Sequence, residues 1–162
     1  MTALDDHSQK YLALVYRYLT IRNRSEKEVY EYLVKKQATP ETIAAIMQRL
    51  YEQKFLNDEK FARSWVRSRA RFKPRGKRVL AMELSQKGIA KDLIEKVLAE
   101  EDEEMPDELT QAKSLIKKRV AKVRDLPRQE IYAKVGAFLG RRGFGWDIIK
   151  KAIDETLSED SP

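Results

Sequence analysis

The chain has 162 residues, of which 36% are charged and 42% apolar, with a formal net charge of +7. That balance excludes a disordered polyelectrolyte, since enough Leu, Ile, Val and aromatic residue remains to build a core. With no cysteine, disulfides and thiolate metal sites are excluded. The chain opens MTALDDHSQK, with no basic-then-apolar leader, and no apolar run approaches the roughly 18 residues of a membrane span. A cytoplasmic protein without membrane contact is expected.

Apolar spacing is helical along nearly the whole chain, and no window alternates strictly over strand length. The fold is therefore expected to be all-α. Three windows superpose on a leucine: EVYEYLVKKQATPETIAAIM, VLAMELSQKGIAKDLIEKVL and YAKVGAFLGRRGFGWDIIKKAI, anchored at Leu33, Leu84 and Leu139. Val29, Leu80 and Val135 stand four residues before the anchors. Ile43, Ile94 and Ile149 stand ten after, and Met47, Leu98 and Ile153 fourteen after. A helix must end and another begin inside each copy. Gly88 and Gly143, four residues past their anchors and followed by Ile89 and Phe144, suit a left-handed C-terminal turn. The first copy carries Gln37-Ala38 instead, so a different turn is expected there, with Thr39 and Pro40 opening the next helix.

Leu14, Trp65 and Val120 lie nineteen residues before the anchors, each in its own amphipathic stretch, so a leading helix completes each copy. The architecture is expected to be a tandem array of three three-helix repeats, helix-turn-helix-like, elongated and curved, because units this small stabilise one another by stacking. The divisions fall at 1–56, 57–105 and 106–162.

Charge is unevenly placed. From Lys60 to Lys91 there are eleven basic residues and one acid, Glu83. The stretch from Glu100 to Glu108 then holds seven acids, which reads as a solvated connector. On a helical wheel Phe61, Trp65 and Phe72 gather on one side of the central leading helix, with Trp65 placed in the core. Arg63, Arg67 and Arg71 lie opposite, facing solvent or a partner. Lys73, Arg75, Lys77 and Arg78 continue this patch into the next helix, whose N-terminus could offer N–H groups to phosphate. The seven form the expected partner or DNA contact, with Lys117, Lys118, Arg141 and Arg142 next in order. Arg69 falls on the apolar side of its helix, and Glu83 stands where Tyr32 and Phe138 stand in the other copies. The two are expected to form a structural ion pair. Trp146 is expected to pack against the last helix. His7 is the only histidine, so neither a Ser-His-Asp arrangement nor a histidine metal site is expected, and no enzyme is.

The run Leu56-Asn57-Asp58-Glu59-Lys60-Phe61-Ala62-Arg63-Ser64-Trp65, followed by Lys73-Pro74-Arg75-Gly76, Glu83-Leu84 and Lys87-Gly88-Ile89, closely resembles the central repeat of the RecX family. Arg24-Ser25-Glu26-Lys27-Glu28 resembles the opening of that family's first repeat, and Phe138-Leu139-Gly140-Arg141-Arg142-Gly143-Phe144 its last, so the resemblance spans roughly residues 11 to 157. Gln37-Ala38 is the clearest departure. The resemblance implies a regulator, acting as a monomer without a cofactor, that lies along the RecA–DNA filament. Such a regulator would lower the filament's ATPase, strand-exchange and coprotease activities. The residues alone leave a second reading open, an independent DNA-binding protein built of helix-turn-helix-like units.

Overall fold

The computed structural model describes residues 4–159, and among them it contains nine α-helices and no strand. α1 (Asp6–Ile21), α2 (Glu26–Lys35) and α3 (Pro40–Glu52) form the first unit. α4 (Asp58–Phe72), α5 (Lys77–Gln86) and α6 (Lys91–Glu104) form the second, and α7 (Glu108–Val123), α8 (Arg128–Arg141) and α9 (Trp146–Glu159) the third. Each leading helix opens on a carboxylate or amide cap. Asp5 accepts from the Ser8 N–H, Asn57 from Lys60 and Asp107 from Thr110, satisfying donors that the first turn leaves unpaired. Ser25 and Glu28 complete a reciprocal capping box on α2.

Every extensive helix–helix packing lies inside a unit, and the buried apolar residues divide into three separate cores. The anchors Leu33, Leu84 and Leu139 have no exposed surface. The accessible area, 10416 Å², decides the shape, because a compact chain of 19.0 kDa would expose about 8,400 Å². The array is elongated.

Burial varies among the aligned positions. Thirteen residues past the anchors, Ile46, Val97 and Ala152 are fully buried, whereas Met47 and Leu98 at fourteen only border their cores. In the leading helices Val15 and Val66, eighteen residues before their anchors, are the enclosed residues, and Leu14 and Trp65 are partly exposed. Val120 keeps the nineteen-residue spacing. α8 is also longer, 14 residues against 10 in α2 and α5, with the extra turn at its start.

The first copy's turn is also corrected, since Gln37 adopts the left-handed conformation (φ 63°) that Gly88 (81°) and Gly143 (91°) adopt. All three turns close with the same bond, from the N–H five residues past the anchor to the anchor carbonyl: Ala38 to Leu33 (3.1 Å), Ile89 to Leu84 (3.1 Å) and Phe144 to Leu139 (3.3 Å). What differs is the neighbour. A Cβ on Gly88 would lie 2.7 Å from Lys27 Cβ, and one on Gly143 would lie 2.5 Å from Val79 Cγ2, so in both seams the start of one unit's middle helix rests on the next unit's turn. Lys27 and Arg78, six residues before their anchors, reinforce this by donating to the carbonyls of Gln86 (3.2 Å) and Gly140 (3.1 Å). No unit rests on the first turn, and Gln37 is exposed.

Gly143→Ala is expected to lower stability to urea by about 1–3 kcal/mol through overpacking. Gln37→Gly should raise it by up to about 1 kcal/mol, because only the backbone conformation matters there. Equal effects at the two positions would contradict this account of the seams.

The first seam also binds charge. Glu28 accepts from Arg22 (2.7 Å), from Lys87 of the second unit (2.7 Å) and from the Ser25 N–H (3.2 Å). Burial would push this carboxyl up, but those hydrogen bonds outweigh it and hold the group at about 2, below its ordinary 4.5. Ionised Glu28 therefore contributes its full stability above the unfolded value and loses it as pH falls toward 2. Thermal unfolding followed from pH 6 to 2 should show a shallower acid decline in Glu28→Gln than in wild type.

Candidate interaction surface

α4 carries the central arginines because its apolar residues Phe61, Ala62 and Val66 pack into the second core, turning the rest of the helix toward α6 and solvent. α6 does not stop before the acids. It runs to Glu104, so the stretch expected to be a solvated connector is helical through five consecutive acids. Glu101 has no exposed surface. Its two oxygens accept from Arg63 Nη1 (3.2 Å) and Arg67 Nε (2.6 Å). Arg63 also pairs with Glu59 (2.8 Å) and Glu100, Arg67 with Glu104 (2.7 Å), and Lys77 with Asp102 (2.7 Å). Acids at a helix C-terminus oppose the helix dipole, and the facing guanidinium groups offset that cost.

Of the residues expected to form the contact surface, Arg63, Arg67 and Lys77 form ion pairs within the molecule. The α5 N-terminus is occupied too: the Gly76 N–H donates to the Arg142 carbonyl (2.9 Å) and the Lys77 N–H to Glu108 (2.8 Å), so neither reaches toward a ligand. Arg78 spends one donor on Gly140. Arg71 and Lys73 face solvent, and Arg75 is partly buried. Arg71 lies 5.3 Å from the Phe72 ring, which is 71% exposed and outside the core where the wheel placed it. Phe72 is the last residue of α4, beyond the end of the core it would have joined. Trp146 is 60% exposed at the first position of α9, and it packs only in part, with its ring 6.0 Å from that of Tyr132.

Arg69 Nε donates to Glu83 Oε2 at 2.9 Å, with both side chains partly buried. Trp65 Nε1 donates to the same oxygen at 2.8 Å, and the Arg69 guanidinium lies 4.7 Å from the Trp65 ring. The wheel missed this third member because Trp65 was assigned wholly to the core. It borders the core with its indole N–H turned to Glu83.

A cavity of about 560 Å³ opens between the first two units, lined by Tyr16, Leu19, Phe55 and Phe61 with Arg24, Lys54 and Lys60 around it. It holds no histidine, carboxylate or thiol. Among the described residues no cluster of three metal-binding side chains occurs, and no helix is long and apolar enough to cross a membrane.

The fold and surface thus define a class: tandem three-helix repeats with separate cores, glycine-turn seams and an internally paired basic centre. Three family models match in chain order: RecX, first three-helix domain, at residues 12–50, the second at 57–98 and the third at 106–153. The chain belongs to the RecX family. It is 36% identical over 138 residues to the regulatory protein RecX of Bacillus pumilus, covering 85% of this chain and 52% of that protein. It is 28% identical over 149 residues to the regulatory protein RecX of Pelodictyon phaeoclathratiforme, covering 92% and 90%. The chain spans about half the length of the Bacillus relatives it matches. The crystal structure of RecX from Lactobacillus salivarius superposes with a TM-score of 0.81 at 25% identity, covering 94% of this chain and 98% of that one.

Reversing Arg63 and Arg67 to Glu is expected to destabilise the fold by roughly 3–5 kcal/mol, since it leaves the Glu101 carboxylate buried without a partner. Reversing Arg71 and Lys73 should stay within about 0.5 kcal/mol of wild type. Urea midpoints that are equal for the two double variants would contradict the assignment.

Proposed function

We propose that the chain acts by binding, without catalysis of its own, as a cytoplasmic monomeric regulator that docks on the RecA–DNA filament. There it lowers ATP hydrolysis, strand exchange and coprotease action. Membership of the RecX family along all three units carries this reading. The shape suits it, because an elongated array can follow a helical groove and touch several subunits at once. Arg71, Lys73 and Arg75 lie where the α4–α5 turn presents cations that, among the described residues, no acid pairs with, so they are the proposed contact with the filament. Attraction at such sites is screened over roughly 8–10 Å at ordinary ionic strength, so inhibition should weaken with added salt.

The test is RecA ATP hydrolysis on single-stranded DNA, titrated with wild type and with the Arg71→Glu, Lys73→Glu double variant at equal helicity. Inhibition by the variant should need roughly tenfold more protein, from up to about 1 kcal/mol for each exposed contact. Unchanged inhibition would move the contact to the outer units, where Lys117, Lys118 and Arg141 are exposed.

A further inference from the structure

Three guanidinium groups from separate segments meet at the seam between the second and third units. Arg75 stands in the α4–α5 turn directly before Gly76, Arg119 comes from α7, and Arg142 follows the last residue of α8. The Phe138 ring carries two of them, with the Arg119 Cζ 3.9 Å and the Arg142 Cζ 4.6 Å from its centre. Arg75 is tied to the same place through the backbone, because the next residue, Gly76, donates to the Arg142 carbonyl at 2.9 Å. A Cβ on Gly76 would lie 2.2 Å from the Gly143 oxygen, so the two backbones are in close contact and the Cα atoms of Arg75 and Arg142 are held near one another.

Among the described residues none of the three has a carboxylate within ion-pair distance, and Arg75 Nε is shut off from solvent with no hydrogen-bond partner. The Arg142 guanidinium is held below its ordinary value by burial and then by the fields of Arg75 and Arg119. The contrast with α4 is direct. There the fold supplies Glu100, Glu101 and Glu104 to Arg63 and Arg67, and here it supplies none. A cluster of like charges without an acid of its own is the arrangement that an external anion completes.

The geometry of the donors selects the anion. A carboxylate offers two coplanar oxygens and satisfies one guanidinium fork, whereas a phosphoryl group offers several non-coplanar oxygens to forks that arrive from three directions. Arg71 and Lys73 stand four and two residues before Arg75, exposed, and extend the positive surface away from the cluster, which suits a chain of phosphates better than a single nucleotide. We propose that Arg75, Arg119 and Arg142 form a phosphate-binding site for a nucleic-acid backbone, used by this chain without any protein partner.

The test uses the full chain with no recombinase present. Binding of a fluorescein-labelled 20-nucleotide single strand is followed by anisotropy for wild type, for Arg119→Gln, for Arg119→Gln with Arg142→Gln, and for Lys150→Gln with Lys151→Gln as a control of equal charge. The proposal expects about tenfold weaker binding in the arginine double variant and less than twofold in the control, with the slope of log Kd against log salt reduced by about 1.4 for two lost phosphate contacts. Arg119 is exposed on α7, so the single variant keeps the question answerable if the double variant unfolds. Inorganic pyrophosphate at constant ionic strength should raise the melting temperature of wild type and not of Arg119→Gln. An unchanged Kd and salt slope in Arg119→Gln would overturn the site. Competition by polyglutamate as strong as by the oligonucleotide would assign it to an acidic protein surface instead, and equally strong competition by ATP to a free nucleotide, and each overturns the proposal. Loss of RecA inhibition plays no part in these readings, so the site stands or falls separately from the filament role.

Discussion

A carboxylate with no exposed surface, Glu101, governs the centre of this molecule. An ionised acid in a protein interior is tolerated only when charge and hydrogen bonds surround it, and both of its oxygens are met by guanidinium groups of α4. Three features follow from that one constraint. α6 can continue to Glu104 although its last turns are crowded with negative charge. α4 and α6 become the most closely packed helix pair of the second unit. The basic stretch divides into arginines paired within the fold, Arg63 and Arg67, and exposed cations such as Arg71 and Lys73.

The same economy of charge recurs at the seams. Separate apolar cores mean that little hydrophobic area joins one unit to the next, so contact between units rests on close approach at Gly88 and Gly143 and on bonds such as Lys87 to Glu28 and the Lys77 N–H to Glu108. Polar seams of this kind hold an orientation while remaining easier to open than a core. A regulator that lies on a curved assembly would use that property, with rigid units presenting their surfaces and the seams absorbing small differences in curvature.

The parts of this structure readable from the sequence are those set by local periodicity. Leu33, Leu84 and Leu139 mark the cores because helical spacing repeats around them, and Gly88 and Gly143 mark turns because few residues adopt a left-handed backbone freely. The two faces of α4 and the opposition of Arg69 to Glu83 also follow from spacing. What escaped has partners distant in the chain. Glu101 lies 34 residues beyond Arg67, and a run of acids read alone looks solvated whether or not a basic helix faces it. Phe72 and Trp146 have apolar side chains, but they occupy helix ends, where no neighbour closes over them. Arg119 and Arg142 come together only because both lie against the Phe138 ring, a proximity that no wheel drawn on α7 could reveal. Gln37 shows the reverse error, since a departure in sequence left the turn unchanged where no neighbour packs.

The most direct measurement is a mutant cycle in urea that pairs Arg63→Ala, Arg67→Ala with Glu101→Leu. If the arginines serve chiefly to neutralise a buried carboxylate, removing them alone should be costly, and removing Glu101 as well should recover most of the loss, with a coupling of about 1–3 kcal/mol. Strictly additive effects would contradict the account, because they would mean that Glu101 and the two arginines contribute independently and that the central arginines remain free for a partner.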